Sequence, residues 1–379
     1  MAFGIICEYN PFHNGHLHQI NEIKKLSDEP IICVMSGNFT QRGEIALTDK
    51  YARAQMALCG GADAVVELPV PFCMASAEYF ASAGVYILNA LGVDKLCFGS
   101  ESANAERLHK IALVACSDEF KTECASLSKN EGNAAAYFDL LALRSGEKDI
   151  LSNDILGIEY TKAIIKNNYP MHIYPIKREG NAYRDTELLL KKLPSASAIR
   201  EAIKNGNMDN IADFVPNETL EILKSVELSD MERIYDGMLL ALRLTDAENL
   251  DVAISDEGLV NRILALSHEC SDFETLEAKL QSKKYTKSSI RRAILYILLG
   301  IKYSDLKALP SKALLLGASE KGREYLSSIR KNESCVKIVT KPADADFSES
   351  QKRADALYTM CLENKKESGF YLKKKPVIN

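Results

Sequence analysis

Two histidines three residues apart, His13 and His16, stand where a short apolar run near the amino terminus ends. Imidazoles at this spacing can donate hydrogen bonds to phosphate oxygens, and Gly15 between them lets the backbone approach a ligand closely. The apolar run predicts a strand over 3–8, and the following segment predicts a helix over 14–26. Such a junction binds anions through free backbone N–H groups and the helix dipole, which suits ATP that is split between its α and β phosphates.

The segments that must position these histidines alternate between apolar runs and amphipathic stretches. Strands are predicted at 3–8, 30–35, 63–68 and 93–98, and helices at 14–26, 48–59 and 77–91. This βαβαβαβ order predicts an α/β fold with a Rossmann-like, doubly wound parallel sheet. Its ligands should bind at the carboxyl ends of the strands, where residues 8–16, 36–43 and 99–101 fall.

The rest of the chain predicts a helical insertion at about 103–170, a strand at 172–176 and a helix that starts at a serine cap, Ser195. Residues 218–300 predict further helices, and a strand, helix and strand between 313 and 339 predict a small α/β unit. We therefore expect an α/β ligand-binding domain at 1–217. A second domain, helical with a small α/β part, is expected at 218–379.

Composition limits the class of protein. The 379 residues include 46% hydrophobic and 26% charged residues, which is ordinary for a globular protein with a large core. No apolar run approaches the roughly 18 residues of a membrane span, and no secretion signal precedes the first strand, so we expect a cytoplasmic protein without a membrane partner. The ten cysteines form no Cys-x-x-Cys pair. They predict small buried side chains in a reducing compartment, and no dedicated metal site.

Charge is distributed unevenly along the chain. Residues 279–379 hold 22 Lys and Arg against 10 Asp and Glu, whereas residues 1–278 hold 25 against 42. Six basic residues and no acid fall within 14 positions: Lys279, Lys283, Lys284, Lys287, Arg291 and Arg292. A solvated helix face is the simpler interpretation, but the basic setting favours phosphate binding, which would position an RNA without reading its bases.

A second element supports the nucleotide interpretation. Nucleotidyltransferases of the class I aminoacyl-tRNA synthetase type carry a His-x-Gly-His motif after the first strand and a later Ser-Ser-Thr-x-Ile-Arg-like element. Residues 195–200 resemble that later element, whose serine and helix start hold the distal phosphates. Ser195 and Ser197 are therefore candidate ATP ligands.

The resemblance extends to one family, the bacterial tRNA(Met) cytidine acetate ligases. Its motifs occur in the same order at residues 8–16, 35–43, 75–80, 98–101, 195–200, 257–263 and 284–292. The resemblance covers most of the chain. It implies that 1–217 is a nucleotidyltransferase-like catalytic domain and that 218–379 is a basic tRNA-binding domain. It implies an enzyme that uses ATP to activate acetate as acetyl-adenylate and then acetylates N4 of the wobble cytidine of elongator tRNA(Met).

Family analogy also implies the ATP contacts. They are Cys7, Glu8, Tyr9, Asn10, Pro11, Phe12, His13, Asn14, Gly15, His16, Leu17, His18, Gln19, Ile20, Gly99, Asn153 and Arg178. The family usually has a smaller residue than Cys7 at that position, and an imidazole or an amide where Arg184 stands.

The chemistry itself calls for positioned donors and cations, because attack of a carboxylate on the α phosphate adds negative charge to the phosphoryl oxygens and the pyrophosphate. His13 and His16 are the predicted catalytic residues, with Arg178 and the start of the 195–200 helix beside them. Mg²⁺ is expected with ATP, held largely by phosphates and water, and Glu8 is the nearest acidic candidate.

Several residues keep a structural alternative. Arg178 can be a solvated strand end, Asn153 a helix cap and Gly99 a tight turn. The polar loop at 36–43 suits acetate or the incoming cytidine, or else bonds to itself. Its candidate substrate residues are Ser36, Asn38, Gln41 and Arg42. Phe12 and Phe39 either stack on a base or belong to the core.

Two rival functions remain open. A small-molecule adenylyltransferase that releases pyrophosphate would share the nucleotide site but would give the basic end no purpose. A non-catalytic, nucleotide-responsive RNA-binding protein would use both features without chemistry. The tRNA-binding residues expected under the favoured hypothesis are Lys283, Lys284, Lys287, Arg291 and Arg292.

Overall fold

The computed structural model describes residues 1–126, 134–151, 154–178, 195–248, 250–254, 256–329 and 335–379. The strands are β1 Phe3–Cys7, β2 Ile31–Ser36, β3 Ala64–Leu68, β4 Lys95–Ser100, β5 His172–Lys177, β6 Lys312–Ala318, β7 Lys337–Val339 and β8 Val377–Ile378. The helices are α1 Asn14–Leu26, α2 Lys50–Cys59, α3 Ala77–Ala90, α4 Ala105–Cys116, α5 Asp118–Ser126, α6 Ala134–Ser145, α7 Asp154–Lys166, α8 Ala196–Lys204, α9 Asn217–Ser225, α10 Tyr235–Arg243, α11 Glu257–Glu269, α12 Phe273–Leu280, α13 Lys287–Leu299, α14 Tyr303–Lys307, α15 Glu320–Ile329 and α16 Glu349–Met360.

One sheet forms the centre of the molecule, in the order β5-β4-β1-β2-β3-β6-β7, with β8 paired to β6. The first five strands are parallel: β1 lies between β2 and β4, with Phe3 opposite Ile31 and Lys95. Strands β1, β2 and β3 are buried along their whole length, as expected for a parallel sheet with helices on both faces. The predicted α/β fold with a mostly parallel sheet is confirmed.

The C-terminal α/β elements extend this sheet. Strand β6 pairs with β3 in the antiparallel direction, and β7 and β8 both run parallel to β6. The sequence predicted the strand, helix and strand but not their neighbour, because pairing between distant segments leaves no local pattern. Helices α9 to α14 lie between the two parts of the sheet along the chain, as the helical prediction for 218–300 required.

Three polar caps start the helices that matter for the site. His13 caps α1, Asp49 caps α2 by accepting from the Tyr51 and Ala52 N–H groups, and Ser195 caps α8. Caps of this kind satisfy N–H groups that a helix leaves open at its first turn. They fix where each helix leaves the edge of the sheet.

Two expectations from composition can be compared with the structure. All ten cysteines are free thiols, and Cys33 and Cys97 are fully buried within β2 and β4, as predicted. Cys59 and Cys335 are exposed, so the expectation of buried side chains is wrong for these two. None of the helices in the described ranges combines the length and the apolar character that crossing a bilayer requires.

Candidate active site

The two histidines lie at the start of α1, directly after β1. The His13 Nδ1 atom accepts from the Gly15 N–H at 3.0 Å, and the His16 Nδ1 atom accepts from the His13 N–H at 3.2 Å. The rings stack with centroids 3.7 Å apart. A Cβ atom on Gly15 would lie 2.9 Å from a His13 ring carbon, so a larger residue would displace the His13 ring from this cap.

The environment keeps both rings neutral. Burial lowers the pKa of His13 to about 3, and the charges of Arg178 and Arg200 act in the same direction. Burial, followed by His13 and Arg178, lowers the pKa of His16 well below its usual range. Because each Nδ1 atom accepts a hydrogen bond, the single ring proton is assigned to Nε2. Both residues can therefore donate a hydrogen bond to a phosphate oxygen.

Other residues of the 7–20 segment hold the turn in place. The buried side chains are those of Cys7, Tyr9, Asn10, Pro11, Phe12 and Ile20. Asn10 Oδ1 accepts from the Leu47 N–H at 2.7 Å, while the rings of Tyr9 and Phe12 pack against His16. Any contact that these buried residues make with a nucleotide would come from the backbone.

Residues on the first helix tie it to its neighbours. Asn14 Nδ2 donates to the Asp213 carbonyl at 2.9 Å, and Gln19 Nε2 donates to the Cys97 carbonyl at 3.2 Å. Leu17 and His18 are half-buried on the same helix. These bonds fix α1 against β4 and against the segment that precedes α9.

Arg53 is a component that the sequence did not predict. Its side chain is fully buried and donates to the carbonyls of Thr48 at 3.1 Å, Glu8 at 2.6 Å, Ser36 at 3.1 Å and Gly37. One guanidinium therefore joins the ends of β1 and β2. Arginine suits this role because its five N–H donors have a fixed planar geometry.

Glu8 and Gln41 connect the end of β1 to the polar loop. Glu8 Oε1 accepts from the Gln41 N–H at 2.8 Å, and Gln41 Nε2 donates to the Ala75 carbonyl at 3.2 Å. Burial raises the pKa of Glu8, against the opposing effects of the Gln41 bond and of Arg200, Arg42 and Arg53. Gln41 and Arg42 remain half-buried at the edge of the site.

Ser36 and Asn38, in contrast, face the interior. Both are buried, and Asn38 Nδ2 donates to Asp355 at 2.9 Å while its Oδ1 accepts from the Lys50 N–H at 3.0 Å. The Asn38 side chain therefore bonds to α16 and α2, outside its own loop. Phe12 and Phe39 are fully buried, which favours their core alternative over stacking on a base.

A buried polar cluster lies behind this loop. Lys50 Nζ donates to Glu67 at 2.8 and 3.0 Å and to Asp355 at 3.2 Å, and Gln351 Nε2 donates to Asp355 at 3.2 Å. Burial raises the pKa of Glu67 to about 7, and Asp355 adds to the shift, although Lys50 opposes it. Sequence reasoning missed this cluster, which joins α16 to α2 and β3.

At the end of β4, Arg178 lies over Gly99. A Cβ atom on Gly99 would come within 3.1 Å of the Arg178 Cγ atom, and the Arg178 N–H donates to the Ser100 carbonyl at 3.0 Å. The Arg178 side chain is exposed. Asn153 and Arg184 lie outside the described residues. Asp154, the described residue next to Asn153, was also missed by sequence reasoning. Its carboxylate accepts hydrogen bonds from the Ser100 hydroxyl and from the Glu101 N–H.

The second predicted element reaches the first. Arg200 Nη1 donates to the Asn10 carbonyl at 2.9 Å, across 190 positions of sequence, and Nη2 donates to Ser197 Oγ at 3.2 Å. Ser195 Oγ accepts from the Ala198 N–H at the start of α8. The fold thus brings the 195–200 segment to the turn that carries the two histidines.

The basic segment divides into two groups. Lys279, Lys283, Lys284 and Lys287 are exposed, although Lys284 pairs with Asp256 at 2.6 Å and Lys287 pairs with Glu277 at 3.0 Å. The two arginines have internal partners instead. Arg291 pairs with Glu44 at 2.6 Å and with Glu277, and Arg292 Nη1 donates to the Gln41 carbonyl at 3.1 Å.

Among the described side chains, no group of three or more His, Cys, Asp and Glu residues is placed to hold a metal ion. At the start of α1 the N–H groups of Asn14, Gly15 and His16 already donate to protein acceptors, so the expectation of free backbone donors there is wrong. The side-chain donors near the end of β1 are neutral imidazoles and guanidinium groups. These are groups that bind anions. The fold and the site define an α/β nucleotide-binding protein of the nucleotidyltransferase class.

Comparison with known proteins agrees with this class. The family model of the HIGH nucleotidyl transferases matches residues 1–371. A tRNA(Met) cytidine acetate ligase of Acetivibrio thermocellus is 36% identical, over 96% of this chain and 95% of its own, and one of Clostridium perfringens strain SM101 is 35% identical over 90% of each. The chain belongs to the tRNA(Met) cytidine acetate ligase family, as the sequence motifs predicted.

A solved structure extends the similarity to three dimensions. Thermotoga maritima TmcAL bound with alpha-thio ATP superposes with a TM-score of 0.87 at 29% sequence identity. The alignment covers 100% of this chain and 99% of that one. The described residues therefore share the fold of that protein.

Proposed function

We propose that this protein uses ATP to activate acetate as acetyl-adenylate and then acetylates N4 of the wobble cytidine of elongator tRNA(Met). The observation that carries the proposal is the hydrogen bond from Arg200 to the Asn10 carbonyl, which joins the two predicted phosphate-binding elements. The names of the relatives and the ATP analogue bound to the Thermotoga maritima protein support the same function.

In the first step an acetate oxygen attacks the α-phosphorus of ATP. A new P–O bond forms, and the bond to the β-phosphate oxygen breaks, so pyrophosphate leaves with the electron pair. Negative charge grows on the phosphoryl oxygens during this step. We assign its stabilisation to the Nε2–H donors of His13 and His16 and to the charge of Arg178, because preorganised donors act most strongly where charge develops.

In the second step the cytidine N4 atom attacks the acetyl carbonyl carbon. The C–N bond forms, AMP leaves with the electrons of the acyl–oxygen bond, and the nitrogen loses a proton. Gln41 and Arg42 are the half-buried residues of the polar loop, so we propose that they face the acetyl group or the cytidine. Ser36 and Asn38 would support that loop from its buried side.

Mg²⁺ is proposed to enter as part of the ATP substrate. The described residues offer no group of metal-binding side chains, so phosphate oxygens and water would supply most of its ligands. The ion would neutralise charge on the phosphates. Glu8 is the carboxylate at the end of β1, and its bond to Gln41 leaves Oε2 as the oxygen that could reach such an ion.

For tRNA, we propose that the exposed lysines Lys283, Lys284 and Lys287 bind backbone phosphates. They sit before and at the start of α13. The other end of that helix bonds to α16, where Arg353 Nη1 donates to the Leu299 carbonyl at 3.3 Å. Contacts of this kind position an RNA without reading its sequence. Elongator tRNA(Met), acetate and ATP meet in the cytoplasm, which is where we place the protein.

One experiment separates the proposal from its two rivals. The protein is mixed with ATP, labelled acetate and elongator tRNA(Met), and label on the tRNA, AMP and pyrophosphate are measured. Acetylated tRNA with one AMP per acetyl group supports the ligase. Nucleotide transfer to a small molecule without label on tRNA supports an adenylyltransferase. ATP and tRNA binding without turnover supports a non-catalytic RNA-binding protein.

A further inference from the structure

Glu44 lies in the loop between β2 and α2 and has no part in the mechanism above. Its Oε1 atom is 2.6 Å from Arg291 Nη1, and its Oε2 atom is 3.5 Å from Arg200 Nη2. Glu44 therefore stands between one arginine of the basic segment and the arginine of the second phosphate-binding element. The exposed fraction of the side chain is only 30% for Glu44, 15% for Arg291 and 23% for Arg200.

Both arginines have further partners, which makes the arrangement a chain of charges. Arg200 reaches the Asn10 carbonyl and Ser197 on one side. Arg291 reaches Glu277 on the other side, with Nη2 and Oε2 at 3.1 Å, and Glu277 also pairs with Lys287. Ion pairs that are partly shielded from water and share partners are stronger than isolated surface pairs.

The backbone of the loop is held against the same helix. Gly43 has a φ of +71°, and a Cβ atom there would lie 2.7 Å from the backbone nitrogen of Arg292. Only glycine suits that close approach and that conformation. Arg292 also donates to the Gln41 carbonyl. The loop that carries Glu44 is thus fixed on α13 through its backbone and through two arginine side chains.

We infer that Glu44 and Arg291 are positioning residues that hold Arg200 in place against the ATP-binding turn. The inference rests on the proposed function for the identity of the nucleotide. Without Glu44, the Arg200 guanidinium loses its acidic partner and can leave the Asn10 carbonyl and Ser197. The inference also reassigns Arg291, whose guanidinium is held by two carboxylates, from the predicted tRNA contacts to the support of the nucleotide site.

The test uses the full chain without tRNA, where a residue that acts only on tRNA has no effect. Affinity for the non-hydrolysable analogue α,β-methylene-ATP and acetate-dependent ATP–pyrophosphate exchange are measured for wild type, Glu44→Gln, Arg291→Gln and the double variant. Each single variant should weaken nucleotide affinity about tenfold, the size expected for one charge-assisted hydrogen bond. The double variant should bind the nucleotide at most about twofold less tightly than the single variant of lower affinity. Both substitutions break the same chain of ion pairs, so their effects should not add.

Asp251→Asn is the matched control, because it removes a carboxylate of an exposed ion pair with Lys302. It should leave nucleotide affinity unchanged, and thermal unfolding of all variants shows whether they fold. The salt dependence of tRNA binding gives a second measurement: Arg291→Gln should keep the wild-type slope. Nucleotide affinities within twofold of wild type in both single variants, or a flatter salt slope for Arg291→Gln with unchanged nucleotide affinity, would overturn the inference. If wild type binds the analogue but shows no exchange, the proposed function fails, while the affinities still test Glu44 and Arg291.

Discussion

His16 offers the sharpest test of the proposed chemistry, because its two ring nitrogens have different partners. Its Nδ1 atom accepts from the His13 N–H at 3.2 Å and so belongs to the cap of α1. Its Nε2 atom carries the ring proton, and we assign this N–H as the hydrogen-bond donor to a phosphate oxygen. A substitution that keeps one of these functions and removes the other separates structure from catalysis.

Asparagine and glutamine provide that pair of substitutions. In His16→Asn the amide lies near the position of Nδ1, so the cap can be kept while the outer donor is lost. In His16→Gln the longer side chain can place an N–H near the position of Nε2. Removal of one preorganised donor from a charge-stabilising site costs about 10²- to 10³-fold in rate. We expect that loss for His16→Asn and a loss of about tenfold or less for His16→Gln.

The assay is acetate-dependent ATP–pyrophosphate exchange in the absence of tRNA, with thermal unfolding of both variants measured in parallel. The pKa of His16 lies well below its usual range, so its ring is already neutral at pH 6. The exchange rate of the wild type should therefore not fall between pH 8 and pH 6 through protonation of this residue. Equal exchange rates for the two variants, with both folded, would refute the assignment of a donor role to Nε2.

Three further predictions concern pH and salt. The His13 pKa of about 3 lies below its ordinary value of 6.5, so wild type should lose stability as the pH falls from 6.5 towards 3. At pH 5 His13→Asn, which keeps an N-cap residue, should recover about 1–2 kcal/mol of that loss in urea unfolding, and an identical pH dependence in the variant would contradict the pKa. Replacing Lys283, Lys284 and Lys287 together by Gln should reduce the log–log salt slope of tRNA binding by about 2–3, whereas an unchanged slope would remove these lysines from the interface. The Glu67 pKa of about 7 lies above its ordinary value of 4.5. The free energy of unfolding should therefore fall as the pH rises through 7, because this buried carboxyl group becomes ionised. Because Asp355 contributes to this shift, Asp355→Asn should lose less urea resistance than wild type between pH 5.5 and pH 8, and equal losses would exclude the coupling.

The sequence predicted most of the sheet, since the signals for it are local. Buried strands such as β1 and β2 are short apolar runs, and the helices between them carry polar caps such as Asp49. Their observed bounds lie within two residues of the predicted ones. The antiparallel pairing of β6 with β3 was beyond local signals, because it joins segments about 250 positions apart.

The arrangement of the candidate site was predictable only where its signals are local. His13, Gly15 and His16 act through spacing within one turn, and residues 195–200 carry a cap and an arginine in a short motif. Arg53 and Asp154 escaped prediction because their partners are backbone atoms or residues on other elements. A lone arginine within a helix gives no sign in the sequence that it will bond to three carbonyls at the ends of two strands.

The cluster around Lys50 bears on how the two predicted domains are related. Lys50 is fully buried, and one of its two carboxylate partners, Asp355, comes from α16, across 305 positions of sequence. A buried ammonium that loses a carboxylate is costly, and the edge of β3 would lose β6 as well in a chain that ended at residue 217. Residues 218–379 therefore complete the core of the nucleotide-binding sheet in addition to carrying the exposed lysines. The proposed tRNA contacts at the start of α13 and the histidines after β1 accordingly belong to one folded unit, which Glu44 connects through direct ion pairs.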